Sequence, residues 1–526
     1  MRRVLVGVVF FAILAGATFE ASAVYLNITH LGEGTTSPPV GVHSYSWFKR
    51  ITVTATPAAG WHFSHWEGSL AGRPASTRFY ITGNLRTTAV FAPNTPTADN
   101  SLARFCGKHD SNFSWYTRTD AIHFGWTEYI WGMTSQQWRS AAEVDRPIWE
   151  HEVNMIDWWG SAPECVFLID GGSNPPDWDG PMGELAAVCM LLGFDMVTVK
   201  QIPNEPLYFT DEVNRRRSED EILAYSLDKY LDTGDDEWPV HQAMAKASIR
   251  AMDLVQSEFV TMRDFLVTGG SKRGWTTWLV AAADPRVDVF APLVIDVLNM
   301  DLQVEHFWEA YGFYQPAVVD YVEFDLFCRL QEPNAVNLLK IIDPYEYMDD
   351  GKFTQTKLLL NATGDQFFLP DGTHFYWDDV PGPKWLRCIP NADHGIQNNE
   401  DLMLEVLLDT VNWANKAMDN DPLPNFTWSF EANGSIRVQC YNTPDSVRLW
   451  QGTNPNARDF RIEAVGEIFT SSTLYDQGGG VYVGYCAPPA SGFTCFLVEL
   501  TYDGIEYTSE VRITPDVLPY EGTACL

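Results

Sequence analysis

The chain is poor in positive charge: 35 Lys and Arg face 69 Asp and Glu across 526 residues, a formal net charge of −34. Such a surface repels phosphate backbones and anionic lipid, which argues against a nucleic-acid partner. Beyond the first residues no stretch is long and apolar enough to cross a bilayer, so no membrane span is expected. There is no Cys-x-x-Cys pair and no histidine cluster, so neither a metal nor another cofactor is expected. Also missing is an unbroken Gly-x-Ser-x-Gly. What the chain does have is 45% hydrophobic and 13% aromatic residues, ample for packed cores. Its length predicts several domains.

The N-terminus sets the compartment. Arg2-Arg3 is a basic start, Val4 to Ala15 is apolar, and Ala21-Ser22-Ala23 is a small-residue cleavage site. This pattern predicts a signal peptide over 1–23 and a secreted, periplasmic or cell-surface protein. The nine cysteines then meet an oxidising environment. Cys440, Cys486, Cys495 and Cys525 gather near the C-terminus, where three pairings are open. Cys106, Cys165, Cys189, Cys328 and Cys388 are scattered, and the odd total leaves at least one thiol free or intermolecular.

Residues 24–92 read as a small β unit, with alternating runs at Ile51–Thr56, Trp61–Trp66 and Thr88–Ala92. Pro93 to Asn100 is a linker by composition. From 101 to about 424, strands alternate with helices, which predicts a mostly parallel sheet with helices on both faces. The strands expected are 129–136, 149–156, 165–170, 196–200, 265–268, 290–296, 357–362 and 384–389. Helices are expected over 182–192, 219–231, 241–258, 276–283 and 401–418. An aromatic-rich insertion at about 300–350 lies where a lid would sit. Residues 425–526 return to short alternating runs and read as a β-sandwich.

The chemistry centres on Gly269-Gly270-Ser271-Lys272-Arg273-Gly274, between the strand Phe265–Thr268 and a helix. A serine on a strand-to-helix turn is the nucleophile elbow of an α/β-hydrolase. Here the second glycine comes one position late, with Arg273 in its place. After the Lys357–Ala362 strand comes Asp365, and after the last strand comes His394. The order Ser, Asp, His is that of the α/β-hydrolase fold. Ser271 is the expected nucleophile, His394 its base and Asp365 the acid that orients the histidine. Asp371 is a rival acid and His374 a rival base. The Lys272 N–H is the expected first oxyanion donor, and Gly172, in the Gly171-Gly172-Ser173 loop, the second. Cations at a helix N-terminus oppose its dipole, so Lys272 and Arg273 need answering carboxylates, with Asp296 or Asp170 as candidates. The other role open to Arg273 is substrate binding through an anionic group.

Two resemblances join these readings. The phrase from Thr54 to Gly68, with Thr88–Ala92, resembles the divergent B-repeat of internalin-related surface proteins. That implies a β-grasp-like adhesion or spacer module and contact with a cell surface or matrix. Residues 101 to about 512 resemble the PhoPQ-activated pathogenicity-related protein family. The resemblance rests on Thr134–Trp138, Gln201–Asn204, Gly270–Trp278, Asp343–Tyr345, Gly364–Asp371, Pro390–His394 and Ala457–Arg461. It implies a secreted α/β-hydrolase with an appended β domain and the same triad, and leaves the substrate open. Ser-Lys-Arg-Gly also resembles the Ser-Arg-x-Gly turn of glucuronoyl esterases, which points to carbohydrate esters. The expected function is a serine hydrolase acting on a small-molecule ester, a carbohydrate ester or a peptide. The alternative is a non-catalytic signalling or binding protein on the same scaffold.

Overall fold

The computed structural model describes residues 23–159, 164–178, 180, 193–396, 398, 400–520 and 525. The signal peptide and the helix expected over 182–192 lie almost wholly outside these.

A nine-stranded sheet organises the molecule. Its strands, in chain order, are Ser114–His123 (β1), Trp126–Gln137 (β2), Ile148–Trp158 (β3), Glu164–Ile169 (β4), Asp195–Val199 (β5), Asp264–Gly270 (β6), Val287–Leu293 (β7), Thr356–Ala362 (β8) and Lys384–Ile389 (β9). Their spatial order is β9-β8-β7-β6-β4-β5-β3-β2-β1. From β5 through β4 and β6 to β9 every pairing is parallel, while β3 runs antiparallel to both its neighbours. Omitting β1, this is the strand order of an α/β-hydrolase. The fold is therefore α/β, as the alternating pattern predicted.

Burial shows why these segments became strands. Along β4, Cys165, Phe167 and Ile169 join one apolar cluster, while Val166 and Leu168 join another. Successive side chains point to opposite faces, and here both faces are covered, so the run is continuously apolar. The helices Val240–Glu258 and Lys272–Ala283 cover one face. The helix Glu400–Met418 and the C-terminal domain cover the other. The sequence reading missed β1, whose residues are mostly exposed and carry no apolar period.

Residues 23–93 form seven strands in two sheets, with no helix among them, where the resemblance implied a β-grasp-like unit. They are docked on the hydrolase domain rather than spaced from it. Arg86 pairs with Asp253, Arg250 donates to Glu67 at 2.6 and 3.0 Å, and the Asn27 amide donates to the Val260 and Met262 carbonyls. The composition-based linker is itself tied down, through Asn100 and Arg104 to the Thr95 and Thr97 carbonyls. The C-terminal domain consists of a three-stranded and a five-stranded antiparallel sheet.

Cys525 departs from its expected C-terminal group and is disulfide-bonded to Cys328 in the insertion. Cys440, Cys486 and Cys495 are buried free thiols. The cysteines lie close in sequence, but the tail runs back over the hydrolase domain.

Candidate active site

The elbow is built where β6 meets the helix Lys272–Ala283. Ser271 holds φ 55° and ψ −128°, a conformation that side chains rarely adopt. It is fixed from both sides: its N–H donates to the Leu293 carbonyl at 2.9 Å and its carbonyl accepts from Trp275 at 3.0 Å. A Cβ on Gly269 would stand 2.8 Å from the Arg273 carbonyl oxygen, and one on Gly274 would stand 2.7 Å from Ile295. The late glycine is therefore needed where it stands, to let the helix pass close over β7. Arg273 fits at the intervening position because Gly171 leaves it space; a Cβ there would meet its guanidinium at 2.6 Å.

The loops after β8 and β9 bring the other two residues to the serine. The His394 Nε2 lies 2.8 Å from Ser271 Oγ, and its Nδ1 lies 2.8 and 3.0 Å from the two Asp365 oxygens. With Nδ1–H donating to the carboxylate, Nε2 presents its lone pair to the hydroxyl. Asp365 is 4% exposed and accepts the N–H groups of Phe367 and Phe368 at 2.7 and 3.2 Å. Those bonds hold it in the rotamer that meets the imidazole. The Phe367 ring packs 4.3 Å from the imidazole, and the Gln366 side chain accepts the His394 N–H at 2.9 Å.

The rivals are engaged elsewhere. Asp371 pairs with Arg458 of the C-terminal domain at 2.5 Å and lies 3.2 Å from His306. Burial alone would raise its carboxyl, but Arg458 and His306 outweigh that and hold it far below the usual range. The His374 ring faces the Asp371 carbonyl.

The cations correct another expectation. Arg273 donates to both Glu219 oxygens at 2.7 Å and to the Ile202 carbonyl at 2.6 Å, so its guanidinium is not open to a substrate anion. Lys272 lies 2.8 Å from Glu219 and 2.9 Å from Asp220. The answering carboxylates are these two, not Asp296 or Asp170. Nothing in the local sequence ties Glu219 to the elbow; only the packing of two helix starts does. Glu219 itself has φ 54° and ψ −130°, nearly the serine's own values.

Gly172 stands at φ 115°. Its loop lies beside the elbow because Ile169 of β4 pairs with Gly269 of β6. The neighbouring Gly171 N–H is taken by Asp170 at 2.7 Å. The Lys272 N–H opens the helix, where the first turn has no intrahelical acceptor.

A cavity of about 90 Å³ opens on Ser271, roofed by the insertion through Met300, Val304, Phe307 and Leu326. Its walls are almost wholly apolar. Asp296, at its edge, is buried with Tyr376 and Thr373 donating to it, and burial pushes its carboxyl up to about 7.

Residues 102–461 match the model of the PhoPQ-activated pathogenicity-related protein family. The chain belongs to that family. Residues 25–95 match the divergent InlB B-repeat domain. The family member is similar to autocrine proliferation repressor protein A of Dictyostelium discoideum, with 31% identity over 450 residues, 78% of this chain and 90% of the relative. Among solved structures, it is similar to acetyl xylan esterase 1 from Thermoanaerobacterium, with TM-score 0.42, 17% identity, and 59% of this chain and 93% of the other covered. It is also similar to an S-formylglutathione hydrolase from Agrobacterium tumefaciens, with TM-score 0.38, 14% identity and coverage of 57% and 99%.

Proposed function

We propose that this family member is a secreted serine hydrolase that cleaves an ester, or a peptide-like amide, through an acyl-enzyme. The observation that carries the reading is the continuous relay from Ser271 Oγ through His394 to Asp365, each step at 2.8 Å. His394 takes the hydroxyl proton as Ser271 attacks the carbonyl carbon, and Asp365 stabilises the imidazolium that forms. The tetrahedral oxyanion is met by the N–H groups of Lys272 and Gly172. The imidazolium returns the proton to the leaving group. Water then repeats the sequence on the acyl-enzyme and frees Ser271.

The apolar cavity favours an uncharged acyl group, and the engaged Arg273 removes the reason to expect a substrate carboxylate. Ester, carbohydrate ester and peptide substrates all remain within this chemistry. Secretion rests on the N-terminal segment of the sequence. Contact with a cell surface or matrix falls to residues 25–95 in this reading.

Labelling with a fluorophosphonate probe tests the reading. The wild-type protein is expected to label and Ser271→Ala to lose labelling entirely. A folded wild-type protein that stays unlabelled, even after the insertion is loosened by mild denaturant, would leave a signalling or binding role on an inactive scaffold. The proliferation-repressor relative's name is in keeping with that role.

A further inference from the structure

Away from the relay, two histidines and a glutamate converge where the N-terminal sheets meet the hydrolase domain. His65 and Glu67 lie on the strand Trp61–Gly68, and His109 lies just beyond the helix Ser101–Gly107. One ligand atom from each falls within 4.8 Å of the other two. Each module supplies part of the cluster, and neither completes it alone.

The His65 ring is the informative member. Its Nδ1 lies 3.0 Å from Ser64 Oγ. Its Nε2 is buried without a hydrogen-bond partner, and faces Glu67 Oε1 at 3.5 Å. When the ring is neutral and Nδ1–H donates to Ser64, a nitrogen lone pair points at a carboxylate. In that tautomer a cation between the two atoms answers both, whereas the other tautomer turns Nε2–H to Glu67 and accepts the Ser64 hydroxyl at Nδ1. A tetrahedral zinc with bonds of about 2.1 Å holds its ligand atoms roughly 3.4 Å apart, which is nearly the separation found. Glu67 is steadied on its far side by Arg250 at 2.6 and 3.0 Å, as ligating carboxylates commonly are by an outer partner. That leaves an Oε1 lone pair for the ion. His109 is exposed on its loop, and its ligand atom has to close by at most about 1.4 Å to reach the spacing of a tetrahedral site. Cavities lined by both histidines open on this cluster and give an ion its entry and its fourth ligand, a water.

We propose that His65, Glu67 and His109 form a binding site for a zinc-class divalent ion that staples the repeat to the hydrolase domain. The donor set of two imidazoles and one carboxylate suits zinc or cobalt rather than magnesium or calcium. Its position, remote from Ser271, makes it a structural site.

The test is titration of the full, tag-free, metal-stripped chain with Zn²⁺ alone, followed by calorimetry and thermal unfolding, with Co²⁺ absorption as the spectroscopic check. One equivalent is expected to bind and raise the melting temperature, and Co²⁺ is expected to give tetrahedral-type visible bands. His109→Ala, on an exposed loop, and His65→Ala are each expected to weaken binding at least about tenfold, the cost of losing even an outer partner of a metal site. His62→Ala, on the same strand but bonded to Asn94, is expected to bind as the wild type does. No binding by the wild type would overturn the proposal and leave His65 and Glu67 as a plain polar contact. Equal binding by all the variants would overturn it too, by assigning the ion to scattered surface imidazoles.

Discussion

Asp365 and Asp371 leave β8 on the same loop, and both are buried, at 4% and 8% exposure. One meets an imidazole that faces the serine; the other meets a guanidinium from a different domain. The residue type and the local setting are alike, so the partner alone decides what each carboxylate does. Asp365 is held by backbone N–H groups and turned toward His394. Asp371 is consumed in an ion pair and fastens the C-terminal domain to the loop that carries Asp365. The same domain grips that region twice more: the Ile462 N–H donates to the Gly364 carbonyl, and Asn391 and Phe469 exchange two hydrogen bonds. The β domain is thus a buttress of the relay.

Asparagine substitutions separate the two carboxylates. Asp365→Asn keeps the shape but removes control of the histidine tautomer. Its kcat on a reporter ester is expected to fall by ~10⁴-fold with the melting temperature nearly unchanged. Asp371→Asn strands the Arg458 guanidinium and is expected to cost about 3–5 kcal/mol in denaturant unfolding, with the remaining folded protein still labelled by the probe. If Asp371→Asn abolished labelling without loss of stability, and Asp365→Asn did neither, the assignment would be reversed. Because the Asp371 carboxyl is depressed in the folded protein, its contribution is present at pH values above about 4 and is lost as pH falls below that.

Asp296 offers the opposite sign. Its carboxyl is raised to about 7 by burial, so the unfolded chain ionises first as pH rises. The resulting penalty grows from about pH 4, is complete above pH 7, and is on the order of 4 kcal/mol. Asp296→Asn is expected to flatten the fall in melting temperature between pH 5 and pH 8. Glu219→Gln is expected to have the smallest effect, about 1 kcal/mol by chemical denaturation, because its carboxylate is 42% exposed and screened by solvent.

Much of this was readable in the chain. The parallel strands announced themselves as apolar runs because both faces of the sheet are covered, and β9 begins and ends where the sequence placed it. The helix after the elbow begins four residues before the expected Thr276, directly after Ser271. Its first turn holds Gly274, a weak helix former, and two cations that oppose the dipole, so the start was hidden. Ser271, Asp365 and His394 were legible because each occupies a loop that directly follows a strand. Glu219, Arg458, His306 and the pairing of Cys328 with Cys525 were not, since each partnership joins segments far apart in the chain.

The sequence by itself determined the buried strands of the main sheet, their alternation with helices and the three residues of the relay, because periodicity and turn chemistry are local. Only the tertiary structure decided which carboxylate meets the histidine, what neutralises Lys272 and Arg273, and how His65 comes to face His109. Those outcomes depend on distances between modules, and charges and lone pairs act through space rather than along the chain.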